Sequence, residues 1–105
     1  MPESGEDFDI EGLDEVIHGR LRLGVMAYLS TAQEADFNTL KAKLQATDGN
    51  LSAHLRKLEE AGYVRIDKRF IGRKPATNVV LTRAGAAAFV RYLDAIGRLV
   101  DQGRG

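Results

Sequence analysis

The chain has no cysteine, no tryptophan, only two prolines and two histidines, and no long apolar run. Without cysteine there can be no disulfide framework and no thiolate metal site, and nothing calls for an oxidising compartment. No segment approaches the ~18 consecutive apolar residues of a membrane span. The first nine residues are acidic, where a secretory leader would be basic and then apolar. A cytoplasmic location with no membrane partner is therefore expected. The usual signs of catalysis are missing too: there is no glycine-rich phosphate loop and no nucleophile motif, and His18 and His54 fall in different segments. The expectation is a protein that is not an enzyme and carries no cofactor. Asp14, Glu15 and His18 share one expected helical turn and could in principle approach a divalent ion, although an exposed acidic turn is the commoner outcome of such a pattern.

Charge is present in quantity but segregated. Fifteen Lys and Arg balance fifteen Asp and Glu over the 105 residues. Residues 1–36 hold nine acids against two bases, a balance of −7, and residues 37–105 hold thirteen bases against six acids, a balance of +7. Such a chain can present a basic face to nucleic acid while its other side stays acidic. Residues 1–9 are expected to be a flexible acidic segment. The length suits one domain with a core of its own, near the size where pairing with a second copy helps.

The stretch TDGNLSAHLRKLEEAGYV, residues 47–64, has the clearest local pattern. Leu51, Leu55 and Leu58 recur at four and three residues, the spacing of one apolar helix face. Thr47 and Asp48 can each cap the first turn, and Gly62 can adopt the left-handed conformation that stops a helix. From Tyr63 the period changes to two: Val64, Ile66, Lys68 and Phe70 share one face, and Arg65, Asp67 and Arg69 the other. A turn is expected over residues 72–75, where Gly72 is free to take positive φ and Pro75 cannot donate to a ladder. Thr77, Val79 and Leu81 form the inward face of a return strand. Residues 63–81 thus read as a β-hairpin, carrying Arg65, Lys68, Arg69, Arg73 and Lys74 against the single acid Asp67. Phosphate is the anion that would screen them.

Three further helices are expected. The first covers about residues 10–30, with Leu13, Ile17, Leu21, Gly24, Val25 and Tyr28 on one stripe, widened by Val16, Leu23 and Ala27. The second is short and capped by Asp36, with Phe37, Leu40 and Leu44 inward. Residues 45–47 make the turn into the helix of 48–61. The last is capped by Thr82 and runs from Arg83 to about residue 101, leaving a frayed 102–105. The fold class is thus mainly α with a β-hairpin: a winged helix-turn-helix of three helices, a two-stranded wing and a C-terminal helix, spanning residues 10–101.

In that order, DGNLSAHLRKLEEAGYV, KRFIGRKPATNVVLT and TRAG resemble the winged-helix transcriptional regulators of the MarR/ArsR type, especially their compact single-domain branch. The resemblance implies that helix 48–61 enters the major groove of DNA and that the wing 63–81 lies along backbone or minor groove. It also implies a homodimer joined by the first and last helices. On the residues themselves, Asn50, Ser52, Ala53, Arg56 and Lys57 are the groove-facing candidates, because the three leucines point the other way. Arg56 suits guanine, Asn50 adenine, and Ser52 or Lys57 a phosphate. Lys68, Arg69, Arg73 and Lys74 of the wing are candidate phosphate or minor-groove contacts. Thr39, Lys41, Lys43 and Arg83 are weaker backbone candidates, and His54, between the faces, is expected to pack or cap.

Two features depart from the family pattern. Ala53 offers only a methyl, which can meet nothing but a thymine methyl, and the near-neutral total charge predicts modest affinity. Leu13, Ile17, Leu21, Phe89, Leu93, Ile96 and Val100 are the candidate dimer interface, with coverage of the chain's own core as the alternative use of the same stripe. The expected function is sequence-specific binding of double-stranded DNA as a homodimeric regulator acting as a repressor. A winged-helix module that binds protein or RNA without an operator is the alternative. A small-molecule effector is compatible with this reading but not indicated by any residue pattern.

Overall fold

A computed structural model describes residues 13–104. Helix α1 (Arg20–Ala32) leads into a short strand β1 (Glu34–Asp36), then α2 (Phe37–Leu44), α3 (Asp48–Glu60), the hairpin β2 (Val64–Ile71) and β3 (Lys74–Leu81), and α4 (Arg83–Arg104). The fold class is the one read from the sequence, with one addition. The sheet has three antiparallel strands in the order β1-β3-β2, because Glu34, Ala35 and Asp36 pair with Val80, Val79 and Asn78. A three-residue strand in the polar stretch TAQEA carries no period-two signal. Its pairing comes from tertiary placement, reinforced by the Asn78 amide donating to Glu34 Oε1 at 2.5 Å.

The start of the first helix needs correction. Residues 13–19 are a turn and not a helix, and α1 begins at Arg20. Asp14 causes this locally: its carboxylate accepts from the Val16 amide at 2.9 Å and its carbonyl from the His18 amide at 2.8 Å. Gly19 is then fully extended as the N-cap. Side chains that hydrogen-bond nearby amides compete with helix formation in this way. Residues 10–12 of the expected helix, the acidic segment 1–9 and Gly105 lie outside the described residues.

The other helix ends follow their caps. Asp36 accepts from the Thr39 amide at 2.7 Å, and Gln45 ends α2 in the left-handed region at φ 53. Thr47 rather than Asp48 caps α3, accepting from the Asn50 amide at 3.1 Å. Gly62, at φ +82, turns the chain into β2.

One core serves all the elements. Val25, Met26 and Leu29 of α1, Leu40 of α2, Leu51, Leu55 and Leu58 of α3, Val64 and Val79 of the sheet, and Ala88, Phe89 and Tyr92 of α4 are all buried together. Each large aliphatic side chain among them is worth about 1.5–3 kcal/mol relative to exposure. Leu13 and Ile17 reach this core from the N-terminal turn, which is tied down by polar contacts. The Tyr63 hydroxyl donates to Asp14 Oδ2, and His18 Nδ1 and the Tyr92 hydroxyl share a hydrogen bond of 2.7 Å. The bond to Asp14, with burial second, holds the Tyr63 phenol above its ordinary pKa. Arg22 spans turn and α3 together: Nε donates to the Val16 carbonyl at 2.6 Å and Nη1 to His54 Nδ1 at 2.7 Å. His54 is therefore a packing residue, as its position between faces suggested.

At the base of the hairpin, α3, β2 and α4 meet within a few residues. The Thr82 hydroxyl donates to the Gly62 carbonyl at 2.6 Å and accepts from the Gly85 amide at 2.9 Å, capping α4 while tying it to the end of α3. Gly85 lies directly against Tyr63, and a Cβ there would fall 2.1 Å from the Tyr63 carbonyl oxygen. That contact is with backbone and cannot rotate away. Gly97, by contrast, has open space around it.

Gly85→Ala should lower unfolding free energy by about 1–3 kcal/mol through overpacking, whereas Gly97→Ala should raise it by about 0.5–1 kcal/mol through helix propensity. Urea denaturation followed by circular dichroism measures both. His54 is held below its ordinary pKa by burial first, then by Arg22 and Lys57. The folded chain thus resists a proton that the unfolded chain accepts near pH ~6.5. This position's contribution to stability is complete above that pH and is lost as pH falls through the lower folded value. His54→Gln, which can still accept from Arg22 but cannot ionise, should flatten the acid side of the stability curve in urea titrations from pH 7.5 to 5.

Candidate nucleic-acid interface

The leucines of α3 decide what the helix shows to solvent. With Leu51 and Leu58 fully buried and Leu55 nearly so, Asn50, Ser52, Ala53, Arg56 and Lys57 are all exposed, as expected. Their spacing sorts them into two rows. Asn50, Ala53 and Lys57 follow one another at three and four residues along the outer edge. Ser52, Arg56 and Glu59 follow at four and three on the side nearer the hairpin. Asp48 in the first turn is held by Lys41 of α2 at 2.6 Å, an exposed ion pair across the turn of the helix-turn-helix. Lys41 is thereby partly engaged, while Lys43 is exposed; Thr39 is half-buried at the start of α2.

The hairpin completes a groove beside α3. Ile66, Lys68 and Thr77 form one wall, Asp48, Ser52, Leu55, Arg56 and Glu59 the other, and Phe37 one end, around an open volume of about 690 Å³. Lys68 and Thr77 are cross-strand partners, so the face expected to look inward does so here. Of the sequence-derived candidates, Ser52, Arg56 and Lys68 are thus brought to one groove. Its acids, Asp48 and Glu59, sit at opposite ends of α3.

Arg69 behaves differently. It stands on the far face of β2 with Arg65 and Asp67. Arg65 Nε donates to Asp67 Oδ1 at 3.0 Å, and Arg69 lies 3.9 Å from the same carboxylate. The hydrogen bonds from Arg65 hold the Asp67 carboxyl below its ordinary pKa. One acid therefore offsets part of the charge on that face, and Arg69 is remote from the α3 groove. Arg73 and Lys74 are exposed at the tip. The hairpin closes more tightly than the expected turn over 72–75: Ile71 pairs with Lys74, leaving only Gly72 and Arg73 in the turn, with Gly72 at φ +67. Two-residue turns of this kind favour glycine at the first position. Pro75 is then a strand residue, tolerated because β1 covers β3 only from Asn78 to Val80 and leaves its outer edge free there.

The candidate dimer residues divide. Leu13, Ile17 and Phe89 are buried in the chain's own core, so single-chain packing accounts for them. Leu21 and Ile96 are half-buried, and Leu93 and Val100 are each 51% exposed. Beside these two, Val90 is 57% exposed. The uncovered row of α4 is therefore Ala86, Val90, Leu93, Gly97 and Val100, at spacings of four, three, four and three, next to the core-facing row of Phe89, Tyr92 and Ile96. The sequence pattern merged the two rows, since adjacent apolar stripes on one helix cannot be separated without knowing which side the core occupies.

Among the described residues, no three His, Asp or Glu side chains cluster as metal ligands would, and no helix is long and apolar enough to cross a membrane. Of Asp14, Glu15 and His18, the residues of the acidic turn, Asp14 and His18 are engaged with Tyr63 and Tyr92 and Glu15 is exposed.

Comparison with known proteins agrees with this geometry. An uncharacterised protein of Methanocaldococcus jannaschii is 38% identical over 79 residues, which are 75% of this chain and 86% of that protein. A transcriptional regulator homologue from Pyrococcus horikoshii OT3 superimposes with a TM-score of 0.82 at 30% identity, covering 91% of this chain and 95% of its own. A MarR-family transcriptional regulator from Silicibacter pomeroyi shares the fold at a TM-score of 0.62 and 21% identity, over 94% of this chain and 60% of its own. The resemblance to regulators of the MarR/ArsR type thus holds at the level of fold. Residues 21–100, from the first full turn of α1 to the exposed end of α4, match the winged helix DNA-binding domain family, and the chain belongs to it.

Proposed function

We propose that the protein is a cytoplasmic, sequence-specific regulator that binds double-stranded DNA as a homodimer and represses by occupying a palindromic operator. The observation that carries this reading is the shared groove. Ser52 and Arg56 of α3 and Lys68 of the wing face one open channel, and the three leucines behind α3 leave its outer side no other use. In such an arrangement α3 lies in the major groove, Arg56 reads guanine, Asn50 reads adenine, and Ser52 and Lys57 hold phosphate. Arg73 and Lys74 reach the backbone or the minor groove beyond. Occupancy alone suffices for repression.

Dimerisation is supported by the exposed row of α4. Ala86, Val90, Leu93, Gly97 and Val100 repeat with the alternating four and three of a helix seam, and the polar face, with Arg91, Asp94 and Arg98, lies elsewhere on the helix. A second copy on this row would place two α3 helices to meet half-sites about one helical turn apart. It would also double the contacts of a subunit whose own charge is neutral and whose Ala53 reads little.

Titration of the protein against duplex DNA at rising salt tests the reading. A steep negative slope of log affinity on log salt is expected, and no binding at low salt would refute it in favour of a protein- or RNA-binding module. Arg73→Ala with Lys74→Ala removes two phosphate contacts from each subunit and should weaken binding uniformly across sequences and reduce the slope of the dimer by about 4, whereas Arg56→Ala should cost about 1–3 kcal/mol at one base position of each half-site only. Leu93→Glu should convert a sedimenting dimer to monomer. A parent that sediments as monomer at micromolar concentration would remove the dimer.

A further inference from the structure

The far end of the wing carries something that phosphate binding does not need. Phe70 is 73% exposed and Ile71 70% exposed, more than any other large apolar side chain described. They occupy the last two positions of β2, directly before the Gly72–Arg73 turn, and project to opposite faces of the hairpin: the register sets Phe70 opposite Pro75 and Ile71 opposite Lys74. Phe70 and Pro75 continue the face that bears Lys68 and Thr77, the wall of the α3 groove. The sheet outgrows its support here: the core reaches the hairpin only as far as Ile66 and Val79, and β1 ends opposite Asn78. The tip therefore projects about 10 Å beyond Lys68, three strand positions at ~3.3 Å each.

The surroundings restrict what could cover such a patch. Arg69, Arg73 and Lys74 flank it, so a second tip of the same kind would be repelled, and an apolar protein surface would have to supply acids around its rim. Duplex DNA combines an anionic outside with an apolar stack within. We propose that the wing tip is a wedge: Arg73 and Lys74 hold phosphates on either side of the minor groove while Phe70, backed by its cross-strand neighbour Pro75, parts a base step and bends the duplex. This inference rests on the DNA-binding reading and adds a mechanism to it. Inserted apolar side chains unstack and kink DNA at a cost that depends on the step. The cost is least at TA and CA/TG steps. The wing therefore contributes sequence preference without a base-specific hydrogen bond, at a distance from α3, whose central residue Ala53 discriminates little.

The test uses an end-labelled duplex, obtained by selection from a random pool, with 2-aminopurine placed at the flanking flexible step. Binding of the parent at saturation should raise energy transfer between the ends and brighten the 2-aminopurine. Phe70→Ala with Ile71→Ala removes only exposed side chains, so thermal melting should match the parent. This variant should bind about tenfold more weakly, the order expected for a lost apolar base contact, and at saturation neither signal should change. Phe70→Trp should retain both signals, and its indole, unique in a chain without tryptophan, should be quenched by the bases. Binding with straight DNA, or bending by the double alanine variant equal to the parent's, would overturn the wedge while leaving DNA binding intact. So would an oligomer of the free protein that the double variant dissolves. Failure of the parent to bind duplex DNA at low salt would overturn both.

Discussion

Burial of Leu51, Leu55 and Leu58 is the constraint on which the rest of the molecule depends. Three side chains at helical spacing fix the rotation of α3 about its own axis, and a helix whose rotation is fixed has a determined outer face. Rotating α3 to present a different set would expose apolar surface worth several kcal/mol, far more than any gain from its surface charges. The direction of Asn50, Ser52, Ala53, Arg56 and Lys57 is thus a consequence of core packing. The composition of this surface is set from the inside of the protein.

The position of the wing relative to α3 depends on a second, more local constraint. Gly62 ends α3 in a left-handed turn, Tyr63 starts the strand, and α4 packs its first turn against the Tyr63 carbonyl, which is possible because Gly85 has no side chain. Thr82 bonds both to the Gly62 carbonyl and to the Gly85 amide. The N-terminal turn closes over the same region through Asp14 and Tyr63, while Arg22 joins that turn to His54 on α3. These contacts hold the angle between helix and hairpin, and that angle sets the groove in which Ser52, Arg56 and Lys68 meet. An acidic N-terminal half is thereby used structurally: Asp14 faces inward to a phenol, and Glu34 meets Asn78 at the sheet edge.

Much of this was legible along the chain because it depends on short-range periodicity and on caps. The α3 helix, its turn from α2, the Asp36 and Thr82 caps and the hairpin could all be found from residues a few positions apart, and so could the outward side of α3. Elements defined by partners far away could not. The β1 strand exists because it pairs with β3 more than forty residues later. The turn at 13–19 carries apolar residues at helical spacing, yet Asp14 and Gly19 redirect its backbone, and Leu13 and Ile17 reach the core without a helix. In α4 the pattern contained both a core row and an exposed row, and only the position of the core separates Phe89 from Val90.

The same division applies to charge and to the wing tip. By itself the sequence determined the residue types, their density and their local order: a leucine-faced helix, a basic hairpin, a glycine that closes it, and the absence of any thiol or phosphate-loop chemistry. Tertiary structure alone decided that the face with Lys68 meets the α3 groove while the face with Arg69 is turned away from it, and that Phe70, on the same strand face as buried Val64, stands in solvent. The physical reason is that period-two alternation assigns a side chain to a face of the sheet. How far the core extends beneath that face is set by helices folded from distant parts of the chain.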